Sequence, residues 1–225
     1  MLAENIQKIK ETIQLACSSA GRSINDVTMI AVTKSVENQT AKELAALGIV
    51  NMAENRVDKL LEKKEALSGF SSIKWHLIGN LQRRKVKLII NEIDYFHALD
   101  SLTLAEEIQK RAEKELACFI EVNVTGEESK HGLAPETISD FVHQLAVFDK
   151  IKVIGLMTMA PIDASEAELH MIFSKLKRIQ VAINALQLLH APCTELSMGM
   201  SNDYPVAIEE GATFVRIGTA IFRGA

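Results

Sequence analysis

Short runs of apolar and β-branched residues, each bounded by polar residues and followed by a longer stretch of helical period, recur along the whole chain. Before the first run, Leu2, Ile6, Ile9, Ile13 and Ala16 recur at three- and four-residue spacing, which predicts an amphipathic helix with one apolar stripe. The runs predict strands at residues 27–33, 49–52, 73–78, 95–99, 117–124, 152–157, 194–198 and 213–217, with helices between them such as 41–46, 102–115 and 166–186. Strands that alternate with helices imply parallel pairing, because a parallel crossover needs a dozen or more residues and usually uses a helix. Eight such units predict a closed α/β barrel of the (β/α)8 TIM type, a single domain over residues 1–225. An open doubly wound sheet would place a Gly-rich turn after its first strand, and Lys34 is followed instead by Ser-Val-Glu-Asn. Little chain follows the eighth strand, so the N-terminal helix is expected to cover the place of the eighth outer helix.

Composition narrows the class. The 225 residues are 48% apolar and 24% charged, an ordinary globular balance able to bury a sizeable core. Lys plus Arg total 25 against 29 Asp plus Glu, a net charge of -4, which lacks the electrostatic footprint of a nucleic-acid binder and favours a small-molecule ligand. Cys17, Cys118 and Cys193 lie far apart in no Cys-x-x-Cys arrangement and read as reduced, mostly buried thiols. Glu4, Lys8, Lys10 and Glu11 interrupt the region where a signal peptide needs an apolar core, and no apolar run approaches the ~20 residues of a membrane span. A cytoplasmic monomer with no membrane or nucleic-acid partner is expected.

In such a barrel the functional groups gather at the C-terminal ends of the strands, and phosphate is often held by the loops after strands seven and eight. Ser197-Met198-Gly199-Met200-Ser201-Asn202-Asp203 follows strand seven, with Asn202 expected as the cap of the next turn, and Gly218-Thr219-Ala220 follows strand eight. Glycines admit an anion close to the backbone, and the hydroxyls of Ser201 and Thr219 can donate. Either loop alone could be an ordinary strand-to-helix turn; together, at these two strands, they point to phosphate. Lys34 ends the first strand, where burial would lower its pKa and free an amine able to form a Schiff base. The competing reading is a solvated strand-end lysine. An amine beside a phosphate site is what pyridoxal 5'-phosphate (PLP) requires.

Arg216 shares its face of strand eight with Gly218 and so points into the barrel, where its partner is either a ligand or a lining carboxylate such as Glu121 or Glu195. Arg83, Arg84, Lys85 and Lys87 read as a solvated helix face. The six histidines show no metal-ligand spacing, so no metal is predicted, and His76 either lines the mouth or is a satisfied core histidine. There is no Gly-x-Ser-x-Gly elbow.

Seven ordered segments now stand together. They are Ala31-Val32-Thr33-Lys34, Ala53-Glu54-Asn55, residues 75–82 (Trp-His-Leu-Ile-Gly-Asn-Leu-Gln), Asn123 with Lys130 and Gly132, residues 155–159 (Gly-Leu-Met-Thr-Met), residues 197–203, and residues 215–222 (Val-Arg-Ile-Gly-Thr-Ala-Ile-Phe). Through them the chain resembles the YggS-type PLP-binding family, homeostasis proteins related to the N-terminal barrel of alanine racemase. The resemblance implies PLP held as an internal aldimine on Lys34, its phosphate on Ser201, Gly218 and Thr219 beside Met200, Arg216 at the pyridine nitrogen and Asn55 beside the ring. Ala53 and Arg56 stand where the family usually has Gly and Tyr, and Arg84 where it usually has Asn.

PLP enzymes that stabilise a carbanion commonly pair the ring nitrogen with a carboxylate, and an arginine there does the reverse. A racemase also needs a second acid/base group, which in alanine-racemase-like proteins is a tyrosine from an added β domain; this chain ends at Ala225 with only Tyr95 and Tyr204. The resemblance therefore implies a carrier that buffers PLP or delivers it to PLP-dependent apo-enzymes, with no catalytic residues. A PLP-dependent amino-acid racemase and a Schiff-base aldolase acting on a phosphorylated substrate are the alternatives.

Overall fold

The computed structural model describes residues 1–127 and 131–224. Lys130, one of the motif residues, lies outside them. Among the described residues the chain forms α1 (Leu2–Ser19), β1 (Thr28–Val32), α2 (Asn38–Ala46), β2 (Asn51–Glu54), α3 (Val57–Ala66), β3 (Lys74–Leu77), α4 (Arg83–Ile89), β4 (Tyr95–Leu99), α5 (Leu102–Arg111) and β5 (Leu116–Glu121). It continues through α6 (Ile138–Gln144), β6 (Ile151–Met157), α7 (Glu166–Asn184), β7 (Glu195–Ser197), α8 (Tyr204–Glu209), β8 (Phe214–Ile217) and α9 (Thr219–Phe222). The eight strands pair in parallel, in chain order, as a closed barrel. Closure is made by β1 on β8, with Thr28 opposite Phe214 and Ala31 opposite Ile217.

The apolar side chains fill two shells. Leu44, Leu60, Ile89, Ile108, Phe173 and Ile208 lie on the helices and are buried against the outside of the barrel. Inside, rings from four strands stack across the axis: His76 on Tyr95 at 4.4 Å and 7°, His97 on Phe119 at 4.4 Å and 19°, and Phe214 edge-on to Phe119 at 5.3 Å. The interior is thus a packed core, with aromatic rings filling a space that small side chains would leave open.

As expected, α1 takes the outer position next to the short α9. Its stripe of Ile6, Ile9, Ile13 and Ala16 is buried, and it packs on α8 and α9. Asn5 Nδ2 donates to the carbonyls of Ile221 (2.9 Å) and Arg223 (3.0 Å), fastening the first helix to the last.

Several elements end earlier than their patterns predict. Strand β5 stops at Glu121 because the chain beyond it loops back, with Leu133 exchanging backbone hydrogen bonds with Glu121 and Asn123. Helix α5 stops at Arg111: Ala112 is extended, and the Glu113 N–H donates to Asn91 Oδ1 (2.9 Å). Helix α7 stops at Asn184, and three residues later Gln187 has φ +53°, a backbone that no helix continues.

Truncating the stripe should open this outer seam. Ile13→Ala is expected to cost about 2–5 kcal/mol, read as a lower urea midpoint with an unchanged m-value, because Ile13 is almost wholly buried against the barrel's last helices.

Candidate functional site

The C-terminal ends of β1 and β8 lie side by side, and the loops beyond them carry the predicted residues. Lys34 follows β1 in a turn closed by the Val36 N–H on the Thr33 carbonyl (3.1 Å). It is exposed, and among the described residues it makes no hydrogen bond or ion pair. Of the two readings the sequence left open, the structure has the solvated strand-end lysine: the strand ends at Val32, and Lys34 stands exposed two residues beyond it.

What is buried is the support behind it. Lys63, on α3, is 3% exposed, and its Nζ donates to the Thr33 carbonyl (2.8 Å) and to Glu54 Oε1 (2.7 Å). The Thr33 hydroxyl donates to the same carboxylate oxygen (2.7 Å), while Glu54 Oε2 is buried with no hydrogen-bond partner among the described residues. A dry ion pair of this kind is strongly directional, and removing either partner would strand a buried charge. It joins the last residue before Lys34 to the last residue before Asn55.

Asn55 is exposed at the end of β2, beside the β3 loop. A Cβ on Gly79 would sit 2.1 Å from the Asn55 carbonyl oxygen, so the close approach of these two loops requires glycine. Of the family departures, two are exposed and one is buried, on the inward face of β2 that Ala53 shares with Asn51. Arg56 is exposed and forks onto Asp58 (2.7 Å), Arg84 is exposed and donates to Gln82 Oε1 (3.1 Å), and Ala53 is fully buried in β2. Arg83 and Lys87 are likewise exposed on α4, a solvated face.

The loops after β7 and β8 are tied by one hydroxyl. Ser201 Oγ accepts from the N–H groups of Gly218 (3.3 Å) and Ala220 (3.1 Å) and keeps its own hydrogen to donate. No described residue accepts from the Thr219 N–H, and Thr219 is exposed. The loop turns at Gly199, φ +93°, where a Cβ would come within 2.6 Å of the Ala207 side chain. Asp203, not Asn202, occupies the cap position of α8, and its Oδ1 takes the Met200 N–H at 2.5 Å. The Met200 N–H is thus committed within the protein.

Arg216 is 3% exposed and points into the barrel. Its Nη1 donates to Ser197 Oγ (2.6 Å) and its Nη2 to the Thr158 carbonyl (2.9 Å). Among the described residues it forms no ion pair with Glu121 or Glu195, and three of its five N–H donors remain. Burial pushes its pKa down to about 10, with Asp203 and Glu121 pulling it back up. Burial also raises the carboxyls of Asp203 and Glu121.

Sequence reasoning missed the floor beneath this arginine. His76 is a satisfied core histidine: its Nε2 meets Asn51 Oδ1 and its Nδ1 meets His97 Nε2, both at 3.0 Å, while His97 Nδ1 meets Ser197 Oγ at 2.9 Å. The available signal was the period of β4, which puts His97 on one face with Tyr95. Burial pushes His76 down to about 3 and His97 well below its usual value. Among the described residues no group of three His, Cys, Asp or Glu side chains could hold a metal ion, and no helix is long and apolar enough to cross a membrane.

A closed parallel barrel carrying a strand-end lysine and paired loops after its last two strands defines a class. The family model described as "Alanine racemase, N-terminal domain" matches residues 2–225. The pyridoxal phosphate homeostasis protein of Aquifex aeolicus is 40% identical over 222 residues, 97% of this chain and 96% of its own length. A solved structure of an unknown protein from Bifidobacterium adolescentis superposes with a TM-score of 0.93 at 32% identity, covering 98% of this chain and 94% of that one. PipY of Synechococcus elongatus PCC7942, solved with PLP bound, superposes with a TM-score of 0.85 at 28% identity, covering 99% and 100%. This chain belongs to the alanine racemase N-terminal-domain family, within its YggS/PipY group of pyridoxal phosphate homeostasis proteins.

The buried imidazoles set an acid limit on stability. Neutral His76 contributes fully above the free-imidazole value of about 6.5, and that contribution is lost as pH falls toward about 3, because the unfolded chain binds the proton first. The urea midpoint should fall from pH 7 to pH 4, and less steeply in His76→Phe, which keeps a ring against Tyr95. The raised carboxyls act in the opposite sense, so the difference between the two proteins is the readout.

Proposed function

We propose that this chain is a cytoplasmic, monomeric PLP carrier, which takes the cofactor up through a Schiff base to Lys34 and buffers it or delivers it to PLP-dependent apo-enzymes. The observation that carries this reading is the gathering of an exposed amine, the Ser201–Gly218–Thr219 loops and a buried guanidinium with spare donors at the strand ends of one small barrel. PLP supplies an aldehyde that condenses with a primary amine and a ring that withdraws electrons from it. The donor set fits that group. The Thr219 N–H and the Ser201 hydroxyl offer hydrogen bonds suited to a phosphate dianion, and the exposed Lys34 amine can reach an incoming aldehyde without opening the core.

The remaining residues argue against turnover. Arg216 donates and cannot accept, so it disfavours protonation of a ring nitrogen and weakens the electron withdrawal that carbon-acid chemistry needs. A racemase needs a second proton-transfer group opposite the lysine. Tyr95 is committed to the interior stack at the start of β4, the far end of the strand from the loops, and Tyr204 is buried where α8 begins. Asn55 lies beside the lysine loop, and Met200 serves through the loop it helps to fold.

Addition of PLP should produce the imine absorbance band, to the red of the free aldehyde, and Lys34→Ala should abolish it. Ser201→Ala should weaken PLP binding about 10- to 100-fold, the loss of a hydrogen bond to a charged group. An aldolase would give no such band, and a band indifferent to Lys34→Ala would overturn the reading.

Carrier and racemase separate by isotope exchange. Incubated in deuterium oxide with a panel of amino acids, the PLP-loaded protein should leave the α-hydrogen in place; exchange at about 1 s⁻¹ or faster, the range of ordinary enzymes, would establish the racemase alternative.

A further inference from the structure

The hydrogen bonds beneath Arg216 take their direction from the Asn51 amide oxygen. That oxygen only accepts, so His76 carries its hydrogen on Nε2 and donates to Asn51 Oδ1 (3.0 Å). The neutral His76 then accepts at Nδ1 from His97 Nε2 (3.0 Å), and His97 accepts at Nδ1 from the Ser197 hydroxyl (2.9 Å). Ser197 Oγ in turn accepts from Arg216 Nη1 (2.6 Å), because a guanidinium only donates. The file crosses the barrel from β8 through β7, β4 and β3 to β2. Stacking of His76 on Tyr95 and of His97 on Phe119 fixes both ring planes.

We propose that Ser197, His97, His76 and Asn51 are positioning residues for Arg216: their one-way file locks both histidines as Nε2–H tautomers, holds the guanidinium in place, and keeps it a donor toward a bound ring nitrogen. The second part rests on the reading that PLP binds here. A file with no polarity could rotate its hydroxyl or swap tautomers and leave the guanidinium mobile. This one cannot, because a reversed file would set an unprotonated His76 Nε2 against the Asn51 oxygen, two acceptors face to face. The charged groups nearest the file are Asp94 by His76, and Asp203 and Glu121 by Arg216. None of them is hydrogen-bonded to Arg216, Ser197, His97 or His76 among the described residues.

The tautomers can be read in the protein without cofactor. Histidine 15N shifts should give His76 and His97 as neutral Nε2–H rings, unchanged between pH 7 and pH 5; an Nδ1–H ring at either position, or titration in that range, overturns the proposal. The effect on the ligand is read with PLP labelled at its ring nitrogen. In the wild type and in Ser197→Thr, which keeps the hydroxyl, the nitrogen should stay unprotonated from pH 6 to pH 9. In Ser197→Ala and in His97→Phe, which keeps a ring against Phe119, its titration should move up by at least about one pH unit. Identical titrations in all four proteins overturn the proposal while leaving PLP binding intact. Absence of the imine band from the wild type would count against the PLP reading, and the tautomer measurement would still decide the file.

Discussion

The pairing of β1 with β8 is the constraint on which the site depends. It sets Ala31 beside Ile217, and so brings a lysine near the start of the chain to a glycine and a threonine near its end. No local propensity joins these segments. What joins them is closure itself: eight tilted parallel strands leave no edge, and the last ladder forms because the first seven have curled the sheet round. Helix α1 then seals the outside of the same seam through Asn5 and its isoleucine stripe. Scaffold and site share one joint.

Two buried polar systems, on opposite faces of the sheet wall, refine what closure assembles. Outside the wall, Lys63 and Glu54 grip the strand ends that lead to Lys34 and Asn55. Inside it, the file ending at Asn51 carries Arg216. Each puts charge or polarity where apolar side chains would pack at lower desolvation cost. Both adjoin candidate site residues, Lys34 and Asn55 for the first and Arg216 for the second, which favours positioning over stability as the reason for their presence.

The eight strands were legible because an alternation of β-branched runs and helical periods survives without knowledge of contacts, as was the order of the loops that carry the candidate residues, since a barrel places loops in a known order. Lys34, Ser201 and Arg216 stood out through their positions at strand ends. The sequence left the exposure of Lys34 open between two readings, because it depends on where β1 stops, and the strand ends two residues before the lysine. The role of His97 was hidden because its partners lie at positions 76 and 197, and no spacing rule links residues 100 apart along the chain. Asp203 displaced Asn202 at the cap through a contact with Met200 that either residue type could have made.

The closing seam also dictates when the site comes into being. Ladder β1–β8 spans nearly the whole chain, and contacts so distant in sequence form late, after the entropy of bringing the ends together has been overcome. On a ribosome, β1 and Lys34 emerge long before Ser201, Gly218 and Thr219, so an early lysine lacks the two later loops beside it until β8 docks. On the proposed reading, cofactor retention reports completion of the fold, and a chain stalled short of its last strand offers an amine without those loops.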